Sequence, residues 1–197
     1  MLSIVVPAYN EGEHIYDNLM IIDEALKSFT SDYEIIAVND GSRDRTWEMI
    51  CQLHSENPMF EGVKLSRNRG HQNALLAGLM TARHTADVTV SIDCDGQDDL
   101  NAMDDMVDAY LDGCEIVYGV RSDRGTDTWF KRTTAQSYYK VLNHMGAEVV
   151  YNHADYRLMS RRALEGLAEF KELNLFLRGI VPMTGYPSDT VLYERSE

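Results

Sequence analysis

Cysteine is scarce in this 197-residue chain: Cys51, Cys94 and Cys114 make neither an even count nor a Cys-x-x-Cys spacing. That argues against a disulfide framework and against a zinc knuckle, and leaves core or loop thiols. No window approaches the roughly 18 apolar residues of a membrane span, and the start, Met-Leu-Ser-Ile-Val-Val-Pro, is neither a basic leader nor a signal-type apolar stretch. A soluble, cytosolic chain is expected. Basic residues are outnumbered, 18 Lys+Arg against 32 Asp+Glu for a net charge of −14. A general nucleic-acid binder, which needs a basic surface for phosphates, is thereby disfavoured. There is no Gly-x-Gly-x-x-Gly after the first apolar run and no Gly-x-x-x-x-Gly-Lys-[Ser/Thr] anywhere, so dinucleotide and P-loop readings lose their main support. Repeats and low-complexity tracts are absent as well.

What is present is a 44% hydrophobic composition, enough for one sizeable core. Short β-branched runs at Leu2 to Val6, Tyr33 to Val38, Gly62 to Leu65, Val88 to Ile92 and Glu115 to Tyr118 read as strands apolar on both faces. Helical spacing separates them at Ile15 to Phe29, Thr46 to His54, Asn73 to Arg83 and Ala102 to Leu111. Strands buried on both faces and alternating with helices predict an α/β fold, a Rossmann-like open and mostly parallel sheet with helices on both faces. Beyond Gly119 the alternation weakens: Trp129 to His144 has helical character, Tyr156 to Met159 is a short strand candidate, and Ser160 can cap a helix through Glu169. The expected organisation is a single domain over 1–197, with 119–197 elaborating a core formed by 1–118.

In an open parallel sheet, the turns at the carboxyl ends of the strands gather at one rim, where ligands bind. Asp93-Cys94-Asp95-Gly96-Gln97-Asp98-Asp99 directly follows the Val88 to Ile92 run. Two acids one residue apart suit Mg²⁺, which takes one or two carboxylates plus substrate phosphate oxygens. The alternative is an acidic turn leading into a helix of an acidic protein. Pro7-Ala8-Tyr9-Asn10-Glu11-Gly12 follows the first strand, and Tyr9 with Glu11 offers an aromatic face and an acceptor suited to a nucleobase. Otherwise Tyr9 packs and Glu11 favours the dipole of the next helix. Asp40, before Gly41 and Ser42, is placed to accept from a base or ribose, or makes an ordinary Asp-Gly turn. In Ser66-Arg67-Asn68-Arg69-Gly70-His71, Arg67 is a candidate anion contact, while Gly70, Ala74, Ala77 and Gly78 allow close helix packing. His71 has the right chemistry for acid/base work, but a cap or solvent-facing position is the reading preferred for it.

Charge is unevenly spread. Residues 1–118 hold 7 Lys+Arg against 22 Asp+Glu (−15), and residues 119–178 hold 10 against 7 (+3). The second stretch is suited to meet something anionic. Arg121 and Arg124 can clamp phosphate oxygens with fixed guanidinium forks, and Arg132, Arg157, Arg161 and Arg178 extend the cationic supply. Asp155, close to Arg157 and Arg161, could orient its neighbours, receive a proton from an acceptor hydroxyl, or simply form a buried Asp–Arg pair.

Six segments together resemble family 2 glycosyltransferases of the GT-A fold: Val6 to Glu11; Asn39-Asp40-Gly41-Ser42-x-Asp44-x-Thr46; Leu65-Ser66-Arg67-Asn68-x-Gly70-His71-Gln72; Asp93-x-Asp95-x-Gln97-Asp98; Gly119-x-Arg121-x-x-Arg124; and Asp155 to Arg161. They occur in that family's order and cover essentially the whole chain. The last two look most like the polyprenyl-phosphate branch, similar to bactoprenol glucosyltransferases and dolichyl-phosphate mannose synthases. The resemblance implies that Pro7, Ala8, Tyr9, Glu11 and Asp40 hold the nucleoside, with Arg67 and Asp93 completing the donor site. It also implies that Asp93, Asp95 and Gln97 hold Mg²⁺ or Mn²⁺, with 1–118 the nucleotide-sugar half and 119–197 the acceptor half. Arg121, Arg124 and Arg157 then meet the acceptor phosphate, and Asp155, Arg121 and Arg124 form the catalytic set.

The implied reaction is an inverting transfer of one hexose, from UDP-glucose by preference, to a polyprenyl phosphate at the cytoplasmic face of the cell membrane. A soluble transferase acting on a saccharide or protein hydroxyl is the first alternative, and a catalytically silent nucleotide-binding domain the second. Leu100 stands where such relatives often have proline. Members of the lipid-phosphate branch continue into membrane-spanning segments, so this chain is expected to be a fragment that reaches the membrane surface through a missing C-terminal region. Self-association into a homo-oligomer is left open. The Gln-x-x-Arg-Trp motif of processive synthases is absent.

Overall fold

In a computed structural model, residues 1–122, 153–170 and 176–195 are described. Elements follow in the order β1 (Leu2–Ala8), α1 (His14–Lys27), β2 (Tyr33–Asn39), α2 (Thr46–Glu56), β3 (Phe60–Lys64), α3 (His71–Ala82), β4 (Val88–Ser91), α4 (Ala102–Leu111) and β5 (Ile116–Arg121). Then come β6 (His153–Ser160), α5 (Arg161–Leu167), α6 (Leu177–Met183) and β7 (Ser188–Tyr193). The seven strands of the described residues form one sheet in the order β3-β2-β1-β4-β6-β5-β7.

The period of two along the central strands decides which helices cover which face. Ile4, Val6 and Ile35 pack with α1, α2 and α4 through Leu19, Leu53 and Met103. Their neighbours Val5, Ile36 and Val38 face the other way, against α3, α5 and α6 through Leu75, Leu164 and Val181. Helix α3 lies especially close, because a Cβ on Gly78 would come within 2.3 Å of Val5 Cγ1 and 2.8 Å of Val38 Cγ2. Ser160 caps α5 as expected, its hydroxyl accepting from the Ala163 N–H at 3.0 Å.

Parallel register pairs Leu2 with both Tyr33 and Val88, so Ala8, Asn39 and Ser91 end at the same rim. Strands β3, β6 and β7 and helix α6 depart from expectation. Strand β3 is an edge strand with only Phe60 buried and Glu61, Gly62 and Lys64 exposed, so it is not apolar on both faces. Strand β6 is antiparallel and enters between β4 and β5, pairing Val88 with Ser160 and Ile116 with Met159. Helix α6 and strand β7 were not anticipated, the former carrying Pro182 and the latter mostly exposed. The helix expected over Trp129 to His144 lies outside the described residues.

Candidate functional site

The rim encloses an open cleft of about 500 Å³, within the range of ligand sites. One wall comes from the turns after β1 and β2, where Pro7, Ala8, Tyr9, Glu11 and Asp40 line the cleft. Hydrogen bonds between the turns set their shape. The Asn10 N–H donates to Ser42 Oγ at 3.0 Å, and the Arg43 N–H returns a bond to Asn10 Oδ1 at 3.0 Å. Buried Thr46 Oγ1 accepts from the N–H groups of Glu11 (3.0 Å) and Gly12 (3.1 Å) and donates to Asp44 Oδ1 at 2.6 Å. Asp44 and Thr46 thus latch the first turn to the start of α2. Tyr9 is 42% exposed, leaving its ring free of the core. Burial pushes the Glu11 carboxyl above its ordinary value, and the charges of Asp95 and Asp44 add to this.

Asp40 is buried and ties down the third turn, accepting the Arg69 N–H at 2.6 Å and the Gly70 N–H at 2.9 Å, one on each oxygen. Gly41, at φ +66°, lies under the same turn: a Cβ there would meet the backbone carbonyl carbon of Arg67 at 2.4 Å and the Asn68 nitrogen at 2.5 Å. Only glycine meets both demands. Asn68 and Gly70 are thereby brought to the cleft, and His71 with them.

After β4, Asp93 and Asp95 line the cleft, with Asp93 half-buried. Asn18 Nδ2 fixes the intervening backbone by donating to the Cys94 carbonyl at 2.6 Å. Burial pushes the Asp93 carboxyl up; His71 opposes this, and the charges of Asp98, Asp95 and Asp155 reinforce it. Asp98 is buried, with Oδ1 accepting from Tyr193 Oη at 2.9 Å and Oδ2 unpartnered. Crowded carboxylates of this kind are relieved by a cation. Among the described residues no group of three or more His, Cys, Asp or Glu is arranged to hold a metal unaided. Two carboxylates at a rim nonetheless fit an ion that completes its shell with phosphate and water oxygens. Asp95 is ion-paired to Arg195, which follows β7 and bridges to Asp98.

The far wall is organised on Asp155 of β6, only 7% exposed at its side chain. Its Oδ1 accepts from Arg157 Nη2 and Arg178 Nε, both at 3.1 Å. Its Oδ2 accepts from Gln72 Nε2 at 3.0 Å and Arg178 Nη2 at 3.1 Å, with His71 Nε2 at 3.2 Å. Burial pushes this carboxyl up, but hydrogen bonds from His71 and Arg178 and the charges of Arg157 and Arg178 outweigh it and hold it far below the usual range. Asp155 is therefore a poor proton acceptor. Its hydrogen bond to His71 raises the imidazole pKa; burial lowers it, and the nearby charge of Asp93 raises it further.

Arg157 is 1% exposed, with its fork against Asp155 and with Nε and Nη1 unpartnered. It is a buried counter-ion, not a group that an acceptor phosphate can reach. Arg67 is exposed but does not line the cleft, since the turn presents Asn68 and Gly70 there. Gln97 is half-buried outside the cleft lining, and its backbone N–H donates to Asp95 Oδ1 at 3.1 Å. Arg121 ends β5 with Nε donating to Tyr193 Oη at 3.2 Å. Arg124 lies outside the described residues. His71 neither caps α3 nor merely faces solvent: it lines the cleft, 43% exposed, between Asp155 and Asp93, the latter at 3.7 Å. Gln72 was not singled out for this site and Arg178 was named only as part of the cationic supply, because their placement depends on Asp155, more than twenty residues away from either.

Residues 3–167 match the family model described as glycosyl transferase family 2. The chain is 48% identical over 203 residues to the uncharacterized glycosyltransferase YkoT of Bacillus subtilis, covering 100% of this chain and 60% of that protein. It is 38% identical over 200 residues to the prophage bactoprenol glucosyl transferase homolog of Escherichia coli, covering 100% of this chain and 64% of the relative. Thus it spans less than two thirds of the length of either. Among solved structures, glucosyl-3-phosphoglycerate synthase from Mycobacterium tuberculosis, in complex with Mn²⁺, UDP and phosphoglyceric acid, superposes with a TM-score of 0.64. At 18% identity, covering 100% of this chain and 71% of that one, this likeness is one of fold.

Proposed function

Because this chain belongs to glycosyl transferase family 2 and carries the GT-A fold, we propose that it is an inverting, metal-dependent hexosyltransferase using a nucleotide sugar, UDP-glucose first, and a polyprenyl phosphate. The observation carrying this reading is the convergence of Tyr9, Glu11, Asp40, Asp93 and Asp95 on one cleft from three separate turns. Relatives named as bactoprenol glucosyl transferases support the hexose and the acceptor, and the synthase solved with Mn²⁺ and UDP supports the donor class. The place of reaction is the cytoplasmic face of the membrane. Among the described residues no helix is long and apolar enough to cross a bilayer.

In this mechanism Tyr9 supplies a face for the nucleobase, while Glu11 and Asp40 accept from donor hydroxyl or base N–H groups. Asp93 and Asp95 would hold Mg²⁺ or Mn²⁺, which when bound supplies Lewis-acid stabilisation of the leaving diphosphate. Asp155 does not take a proton. A phosphate monoester, with its second pKa near 6, already presents an ionised oxygen at neutral pH, so the chain need only position it in line with the anomeric carbon and offset its charge. A hydroxyl acceptor would instead require a base that Asp155, held ionised by two guanidinium groups, cannot supply.

Calorimetric titration with UDP-glucose and with GDP-mannose, each with and without Mn²⁺, tests the donor site. Tighter binding with Mn²⁺ is expected. A folded sample that binds neither sugar nucleotide would overturn the enzyme reading, and transfer of glucose to a saccharide but not to polyprenyl phosphate would replace the acceptor.

A further inference from the structure

With Arg157 buried, a partner for the acceptor's charge has to be sought elsewhere among the described residues of the cleft. Among the described residues its lining holds five carboxylates, from Glu11, Asp40, Asp93, Asp95 and Asp155, and a single guanidinium, that of Arg178. An anionic phosphate cannot settle among those acids without a cation on the side away from the metal pair. The sheet order β2-β1-β4-β6 places the nucleoside turns on one side of Asp93 and Asp155 on the other. Arg178 is held on that other side.

Its attachment is built with care. Asp155 takes Nε and Nη2 at 3.1 Å each, fixing the plane of the fork while the side chain stays 42% exposed. Among the described residues Nη1 has no hydrogen-bond partner, which leaves it for a ligand. Gln72 ties the same carboxylate to the start of α6: its Nε2 donates to Asp155, and its Oε1 accepts the Leu177 N–H at 3.2 Å. One side chain on α3 therefore positions both the counter-ion and the backbone that carries the arginine. Buried Arg157 leaves Asp155 charged, so Arg178 is not fully neutralised by a carboxylate already shared.

We infer that Arg178 is the phosphate-binding cation on the acceptor side of the cleft, with Asp155 and Gln72 as its positioning residues. This rests on the transferase reading above. The ligand chemistry is a phosphate oxyanion, and the donor's diphosphate is the other possible source of one.

The test compares the whole chain with Arg178→Gln and Arg178→Lys, titrating each with citronellyl phosphate and, separately, with UDP plus Mn²⁺. Arg178→Gln is expected to weaken citronellyl phosphate binding about 10- to 100-fold, the usual loss for one charge-assisted hydrogen bond. Arg178→Lys should recover part of it, and UDP affinity should stay within about twofold of the native chain. A Gln72→Met chain, which keeps the arginine but frees its frame, should weaken the prenyl phosphate alone. Loss of UDP binding with unchanged prenyl phosphate binding would move Arg178 to the donor and overturn the inference, as would no change for either ligand. If the native chain itself ignores citronellyl phosphate while binding UDP, the acceptor reading falls and takes this assignment with it. Matching thermal midpoints among the variants separate these results from misfolding.

Discussion

Asp155 shows how far a single carboxylate's meaning depends on partners distant in sequence. The order Asp-Tyr-Arg makes the Arg157 pair legible, but nothing local announces Arg178, Gln72 or His71, which arrive from α6 and α3. His71 was only half legible for the same reason: it is exposed, as expected, but nothing at a helix start shows its carboxylate partners until β6 is laid beside β4. The pinned carboxyl has a consequence for acid stability. A group whose folded pKa is depressed stabilises above its unfolded value, near 4, and that contribution disappears as pH falls towards the folded value. Asp155→Asn should therefore lower urea stability at pH 7 by roughly 3–5 kcal/mol, because Arg157 is left buried without a counter-charge. The difference between the two chains should shrink steadily below about pH 4. Parallel losses for both chains from pH 7 to pH 2.5 would show that the network carries no such linkage.

At the scale of elements, the sequence was most readable where strands are central and helices strongly periodic. β1, β2, β4 and helices α1 to α4 lie within a few residues of expectation, because burial on both faces leaves an unbroken apolar run. Elements governed by tertiary context were not: β7 is mostly exposed, and α6 is short and contains a proline. That β6 would be strand was visible, but its direction and neighbours were not, since periodicity carries no information about pairing. The turns were legible as motifs and not as a mechanism of assembly. Gly41 makes the point: its role is to let the turn after β3 lie on it while Asp40 grips that turn from below. Gly41→Ala combines a positive φ with a backbone collision, so it should cost more than about 1 kcal/mol by denaturant unfolding. UDP affinity should fall alongside, since Asn68 and Gly70 move with the turn. Retained affinity would mean that this turn is not part of the donor wall.

The whole molecule is an acidic body whose first 118 residues carry −15, and yet its cleft is proposed to admit a nucleoside diphosphate. Repulsion of that sort is screened by salt. In EDTA, UDP affinity should be weak and should rise as NaCl is increased; with Mn²⁺ it should be stronger at low salt and fall as NaCl rises. Opposite slopes in the two titrations are the expected result, and equal slopes would argue that no divalent ion joins donor and protein. Neither trend follows from the fold alone; both follow from where its charges meet.

Strand β6 also governs when this protein can exist. Residues 88–91 have one free edge until residues 157–160 arrive, and β5 has no place in the sheet before then. During synthesis the amino-terminal stretch must therefore leave the ribosome with an apolar strand edge waiting for most of the remaining chain, a period in which aggregation competes with folding. Residues 1–122 expressed alone should show early amide exchange in β4 and β5, whereas β1 and β2 are protected; uniform protection would mean the first part closes by itself. Fast synthesis would shorten that exposure, and slow codons between residues 91 and 157 would lengthen it.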